Sequence, residues 1–286
     1  MIYKDFVEMR KMSKIKLGFM QGRLSPKVNN QIQSFPFKYW KQEFSIAKKI
    51  KLDLMEWTID NHKYFSNPLT NKSGINQIKK LKDKFKIKIN SVTCDFLMED
   101  PFFIKRDRFN QEKKFFNFLE NCFLAKIKII VVPLVDGSSI KNLKDERNLF
   151  SFFNGIEKYL KSKKIQIAFE SDYDYKDLKK FIEKFDPKIF GLNYDIGNSA
   201  GKNYDYKMEF KSYFNRIINV HIKDKNKNDV TVPLFSGKAQ ILEILRYFIS
   251  KNYNGNYILQ PARSNFDHVN MINNYRILIE SYVSKI

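Results

Sequence analysis

Short apolar runs rich in Ile and Val alternate along the chain with longer stretches in which Lys, Phe and Leu recur at helical spacing. The runs fall at 15–20, 52–57, 87–93, 128–135, 165–170, 189–195, 217–222 and 257–260, and each predicts a strand. Helices are predicted between them, near 39–50, 75–85, 108–125, 144–161, 175–185, 206–214 and 239–250, with a last one at 269–283. In the third helix Phe109, Phe116, Leu119 and Phe123 recur at spacings of three, four and seven, which places them on one helical face. Strict strand–helix alternation implies parallel strands joined by crossover helices. Segment 127–135 is almost continuously apolar, as a strand covered on both faces should be. An open doubly wound sheet shares this alternation, but eight units in this length fit a closed (β/α)8 barrel of the α/β class better.

Composition narrows the picture. The chain has 286 residues, 43% of them hydrophobic and 15% aromatic, which excludes a disordered chain. No Gly- or Ser-rich linker interrupts the pattern, so residues 15–286 read as one barrel domain and 1–14 as an N-terminal extension. No stretch approaches the ~20 apolar residues of a membrane span, so a membrane partner is not expected. The first residues lack a signal-peptide core and there are two cysteines, Cys94 and Cys122, which together suggest a cytoplasmic protein.

The net charge of +21 raises the question of nucleic acid. It comes from 43 Lys and only 9 Arg, and the lysines are spread over nearly every polar segment. Nucleic-acid readers favour the bidentate Arg fork, so the charge reads as solvated helix faces, with no nucleic-acid partner expected. Such a surface still draws anionic small molecules. No P-loop occurs and Gly is scarce, at 10 residues.

Functional residues of a (β/α)8 barrel lie at the C-terminal ends of its strands. Those ends here carry Gln21-Gly22-Arg23, Glu56-Trp57, Cys94-Asp95, Pro133 to Asp136, Glu170-Ser171-Asp172, Asn193 to Asn198, His221-Ile222-Lys223-Asp224 and Gln260 to Arg263. Glu170, Asp195, His221 and Gln260 come from four successive strands and would converge at one mouth. Two carboxylates, an imidazole and an amide oxygen suit one divalent ion, Mn²⁺, Mg²⁺, Co²⁺ or Zn²⁺. Taken singly, each could instead cap a helix or sit as a satisfied core residue.

The segments FMQGRLSP (19–26), LMEWTID (54–60), AFESD (168–172), NYDIGNSAG (193–201), VHIKDK (220–225) and LQPAR (259–263) resemble the sugar phosphate isomerase/epimerase family of xylose isomerase-like TIM barrels. The resemblance runs from about Lys14 to the C-terminus. It implies a sugar isomerase or epimerase that works through an enediolate and holds one divalent metal with Glu170, Asp195, His221 and Gln260. Lys223 corresponds to the family's substrate-facing lysine after the metal histidine. The departure is Gln260, where the family has a second glutamate that acts as acid or base. A Gln can ligate but has no proton to exchange, which points to one-base chemistry by Glu170, with Lys223 and Gln260 completing the catalytic set.

Arg23, Glu56, Trp57, Cys94, Asp172, Asn198 and Arg263 are the candidate substrate-binding residues, all at or just after strand ends. Glu56, Cys94, Asp172 and Lys223 are also candidates to replace the missing acid. Arg23 and Arg263 suit an anionic group on the substrate, or a salt bridge to a neighbouring strand end. A small sugar is the expected partner, phosphorylated or acidic forms included, with homodimer formation left open. A metal-dependent dehydratase and a non-catalytic sugar-binding barrel are the alternatives. A trinuclear zinc nuclease would need many histidines, and this chain has three, His62, His221 and His268.

Overall fold

The computed structural model describes residues 15–103, 108–264 and 266–286. The extension expected at 1–14 lies outside them. Eight parallel strands close into a barrel: β1 (Lys16–Met20), β2 (Leu54–Thr58), β3 (Lys88–Thr93), β4 (Ile129–Leu134), β5 (Gln166–Ser171), β6 (Phe190–Asp195), β7 (Ile217–Ile222) and, last, β10 (Asn256–Leu259). They follow one another around the barrel in chain order, and β1 pairs with β10 to close it. Two short strands, β8 (Asp224–Lys225) and β9 (Thr231–Val232), form an antiparallel hairpin after β7. The predicted (β/α)8 architecture is the observed one.

The helices also follow the pattern, with one break. The stretch expected at 144–161 divides into Leu143–Gly155 and Glu157–Lys163, because Ile156 leaves helical geometry directly after Gly155. Helix starts are fixed by side-chain caps, as where Asn142 accepts from the backbone N–H of Lys144 and Asp145. Helix ends are less usual. Lys51, Lys86, Lys126 and Lys164 each adopt positive φ shortly before β2, β3, β4 and β5, where glycine would be the common choice.

The main core lies between the barrel and its helices and is dominated by phenylalanine. Phe102, Phe115, Phe152 and Phe153 pack ring to ring, and Phe169 stacks on Phe190 with centroids 6.0 Å apart. The third helix corrects the sequence pattern. In Arg108–Leu124 the buried side is Phe115, Phe118, Leu119 and Cys122, while Phe109 and Phe123 are exposed. Both stripes share Leu119 and obey helical spacing, and contact with the barrel selects between them.

Inside the barrel, Met20, Leu54 and Ile258 form a small apolar cluster. Gly18 is required beside it, since a Cβ there would meet the Leu54 carbonyl oxygen at 2.6 Å. The rest of the interior is largely polar. Asn90 donates to Asn256 (3.2 Å), Asn256 to Asn219 (3.1 Å), and Asn219 to both Asn193 and Glu56 (2.8 Å each). The register skips one residue where β2 meets β3 and another where β6 meets β7. The first skip lets adjacent Asn90 and Ser91 both join interior hydrogen bonds. Among the described residues no helix is long and apolar enough to cross a membrane.

Candidate functional site

A cavity of about 610 Å³ opens at the C-terminal ends of the strands. Its wall includes Arg23, Asp95, Glu170, Asp172, Asp195, Asn198, Lys223 and Gln260. Strand alternation explains which residues reach it. Glu170 lies near the end of β5, Asp195 ends β6, and His221 lies in β7 directly opposite Asp195 in the pairing register. Side chains two apart on one strand share a face, so Lys223 follows His221 and Gln260 follows Ile258 towards the barrel axis.

Glu170, Asp195 and His221 each present a ligand atom within 4.8 Å of the others, and all three are buried. Gln260 lines the same cavity, and its buried Oε1 has no hydrogen-bond partner. A buried acceptor left without a donor costs about 1–3 kcal/mol, and a cation would satisfy it. Asn198 ties the group together: its Nδ2 donates to Glu170 Oε1 (2.8 Å) and its backbone N–H to Asp195 Oδ1 (2.8 Å). Lys223 Nζ donates to Asn198 Oδ1 at 3.0 Å and approaches Asp195 Oδ2 at 3.3 Å.

His221 is held from both sides. Its Nε2 lies 2.6 Å from Glu56 Oε1, while Nδ1 lies 3.0 Å from Asn193 Nδ2 and 3.4 Å from Glu170 Oε2. The Asn193 oxygen is engaged by Asn219, so its amide N–H groups point at Glu170 (2.7 Å) and at Nδ1. That arrangement asks for a lone pair on Nδ1 and a proton on Nε2, the tautomer a metal ligand needs. Burial alone would lower the imidazole pKa, but the charge of Glu56 and the hydrogen bonds to Glu170 and Glu56 lift it to about 10. The carboxylates thus demand positive charge where the amide demands a lone pair. A divalent ion that takes the Nδ1 lone pair in place of the Asn193 N–H would supply that positive charge, with Nε2–H still on Glu56 and Asn193 still donating to Glu170, so the donor set fits the metal. Burial opposes ionisation of Glu170, yet its hydrogen bond with and charge attraction to His221, helped by Lys223 and Asn193, hold its pKa below the usual value.

The structure brings Glu170, Asp195, His221, Gln260, Lys223, Asn198, Asp172 and Arg23 to one mouth. Asp172 sits at the rim and accepts from Ser139 at 2.6 Å. Arg23 is buried, donating from Nε to the Pro261 carbonyl (3.1 Å) and from Nη1 to Gln33 Oε1 (2.7 Å). Burial and neighbouring Arg263 pull its guanidinium down to about 9.

Four candidate substrate contacts are not on the cavity wall. Glu56 points into the barrel beneath His221, where Ser91 and Thr93 donate to it at 2.6 Å each. Trp57, the next residue, points outward to pack on Phe35 and Trp40, with Nε1 donating to Asn67 at 3.1 Å. Cys94 also faces outward, and burial pushes its thiol pKa well up, which excludes it as a ready acid or base. Arg263 donates to the Ser25 carbonyl at 2.8 Å, bracing the turn after β1. The interior residues Asn193 and Asn219 were not singled out from sequence; the signal was present as Asn at even spacing, Asn193 before Asp195 and Asn219 before His221. Asp95 belongs to the wall as well.

Residues 44–279 match the xylose isomerase-like TIM barrel family. No curated protein matches the sequence. Among solved structures the chain is similar to 3-keto-D-glucoside 4-epimerase, YcjR, from E. coli in its apo form, with 16% identity, 94% of this chain and 100% of that one covered, and a TM-score of 0.71. It is similar to the IolI protein with a bound zinc atom at 13% identity, 95% and 99% coverage and a TM-score of 0.73. A third likeness is to D-psicose 3-epimerase with D-tagatose from Clostridium cellulolyticum H10, at 12% identity, 95% and 96% coverage and a TM-score of 0.66. At these identities the likeness is one of fold.

Proposed function

Because this chain belongs to the xylose isomerase-like TIM barrel family, we propose that it is a divalent-metal-dependent isomerase or epimerase acting on a sugar or sugar derivative through an enediolate. The observation that carries this reading is the convergence of Glu170, Asp195 and His221 within 4.8 Å, where Glu170 and Asp195 share the wall of a cavity of about 610 Å³ with Gln260, whose buried oxygen is unpartnered. That volume lies in the usual range for small-molecule sites. Two of the similar structures are named as epimerases of sugars and a third holds zinc, which supports the same reading.

Glu170, Asp195, His221 and Gln260 are the proposed ligands, with two carboxylates balancing the charge of one M²⁺. When bound, the ion supplies Lewis acidity that makes a C–H beside a sugar carbonyl easier to ionise. Glu170, kept as a carboxylate by its hydrogen bonds, is the base for that proton. The Lys223 ammonium, fixed by Asn198, stabilises the developing oxyanion. Arg23, Asn198 and Asp172 offer donors and acceptors for substrate hydroxyls.

The test is NMR in D₂O with Mn²⁺, Co²⁺ or Zn²⁺ and a panel of aldoses and ketoses. Solvent deuterium should enter one carbon next to the carbonyl of the true substrate, and Glu170→Gln should stop the uptake. Uptake that persists in Glu170→Gln, or no uptake from any sugar by the wild type, refutes the assignment.

A further inference from the structure

The cations on the cavity wall are Arg23, Lys202, Lys223 and Lys225. Lys223 is paired with Asp195 (3.3 Å) and Lys225 with Asp229 (2.9 Å), while Lys202 is exposed. Arg23 differs from all three. It is buried, yet it makes no ion pair among the described residues. Its Nε and Nη1 are spent on two neutral acceptors, the Pro261 carbonyl and Gln33 Oε1, and its Nη2 has no acceptor among the described residues. A directed chain of hydrogen bonds holds the guanidinium there. Because Gln33 turns its oxygen to Arg23, its Nε2 donates to Thr58 Oγ1 (3.0 Å), and Thr58 directs its own proton to Asp95 Oδ2 (2.8 Å). The strongest charge acting on Arg23 is the repulsion of Arg263, which exceeds the attraction of either Asp95 or Glu43. A buried cation so placed is costly until an anion meets it.

We propose that the substrate is a sugar acid of the uronate type, with its terminal carboxylate held by Arg23. This rests on the sugar isomerase/epimerase reading and names the substrate class of the same site. Arg23 follows β1 and is tied to Pro261 after β10 and, through Gln33, to Thr58 of β2, the two strands that flank β1. In the closed strand order β1 stands four strands from β5, so Arg23 and Glu170 reach the one cavity from opposite sides. A substrate that bridges them has its carboxylate at the end away from the carbon that loses a proton. Charge selects the anion as well. One guanidinium balances a carboxylate monoanion and can meet its oxygens in plane. A phosphate of charge about −2 would leave an excess in the field of Asp95.

The experiment measures deuterium uptake in D₂O by the Mn²⁺-loaded enzyme from aldoses and ketoses in three forms. These are the neutral hexoses, the uronates (D-glucuronate, D-galacturonate, D-fructuronate and D-tagaturonate) and the hexose 6-phosphates. Wild type should favour one uronate over its neutral sugar by about 10–100-fold in kcat/KM, the range expected of hydrogen bonds to a charged group. Arg23→Gln should bring that ratio close to one through a raised KM for the uronate, and Arg23→Lys should restore part of it. A neutral sugar or a 6-phosphate used as well as the uronate overturns the proposal, as does a preference that survives in Arg23→Gln. Each of these leaves the isomerase/epimerase reading standing. No uptake from any form overturns that reading, and the substrate class with it.

A second readout needs neither turnover nor metal, and with the wild-type comparison it stands even if Arg23→Gln fails to fold. In metal-free protein labelled with ¹⁵N-arginine, the preferred uronate should shift one side-chain resonance that is missing from Arg23→Lys, and the neutral sugar should not. The absence of that shift in wild type, or an equal shift with the neutral sugar, overturns the proposal.

Discussion

Ser91, Thr93, Asn219 and His221 all direct hydrogens at the Glu56 carboxylate, which is buried inside the barrel. Burial works against its ionisation, but the charge and hydrogen bond of His221, with the hydroxyls of Ser91 and Thr93, win and keep its pKa low. Its effect is to fix the imidazole with a hydrogen on Nε2 and leave Nδ1 for the proposed ion. Such a partner behind a ligating histidine typically changes metal affinity 10–100-fold. Glu56→Gln should therefore bind Mn²⁺ or Zn²⁺ more weakly by about that factor, read by calorimetry. Equal affinity in variant and wild type would show that Glu56 only fills the interior.

At the scale of the element, the helix Arg108–Leu124 is a test of which stripe matters. Phe115 touches Phe102, Phe118, Phe152 and Phe153 and is fully buried, whereas Phe109 is 74% exposed. Truncating a buried Phe loses both its transfer free energy and the packing around the hole. Phe115→Ala should cost roughly 3–5 kcal/mol, and Phe109→Ala should stay within about 0.5 kcal/mol of wild type. Urea unfolding of the two variants decides it; comparable losses would mean that the helix docks by its other stripe. The strands show the same selection. Leu54, Glu56 and Thr58 share one face of β2, and Met55 and Trp57 the other, so neighbours in sequence serve the site and the core separately.

The stability of the whole molecule should depend on pH through its buried acids. Glu43 is fully buried behind the turn after β1, where the backbone N–H groups of Gly22 (2.9 Å) and Leu24 (3.0 Å) donate to its Oε1. Burial nevertheless dominates and pushes its pKa up to about 7. A carboxyl with a folded pKa above its unfolded value contributes stability that is complete below about 4.5 and is lost as pH rises to about 7. For Glu43 the full span is worth roughly 3 kcal/mol, and Asp95, also raised to about 7, acts in the same direction. Glu43→Gln keeps an acceptor for the two N–H groups and removes the ionisation. Its Tm should fall less than that of wild type between pH 5 and 8 in thermal melts. Parallel curves would mean that Glu43 stays ionised in the folded protein.

The alternation of apolar runs and amphipathic stretches determined the parallel barrel, because a strand buried on both faces and a helix buried on one leave different periods in the chain. It also determined which polar residues would meet, since those that end apolar strands gather at the mouth. Glu170, Asp195, His221, Lys223 and Gln260 were legible for that reason. The inward or outward sense of each strand was not. When both faces are apolar the sequence carries no alternation to read, and one skipped residue at a bulge reverses the sense of every residue beyond it. So it was the closed barrel that turned Trp57 and Cys94 out into the core, with the residue skipped in β3 before Ser91 setting the sense of Cys94. The same closure sent Glu56 beneath His221, and with the polar turns of β1 and β2 it brought Arg23, Gln33 and Thr58 into line on Asp95. A hydrogen-bond chain that crosses three strands exists only once those strands are side by side.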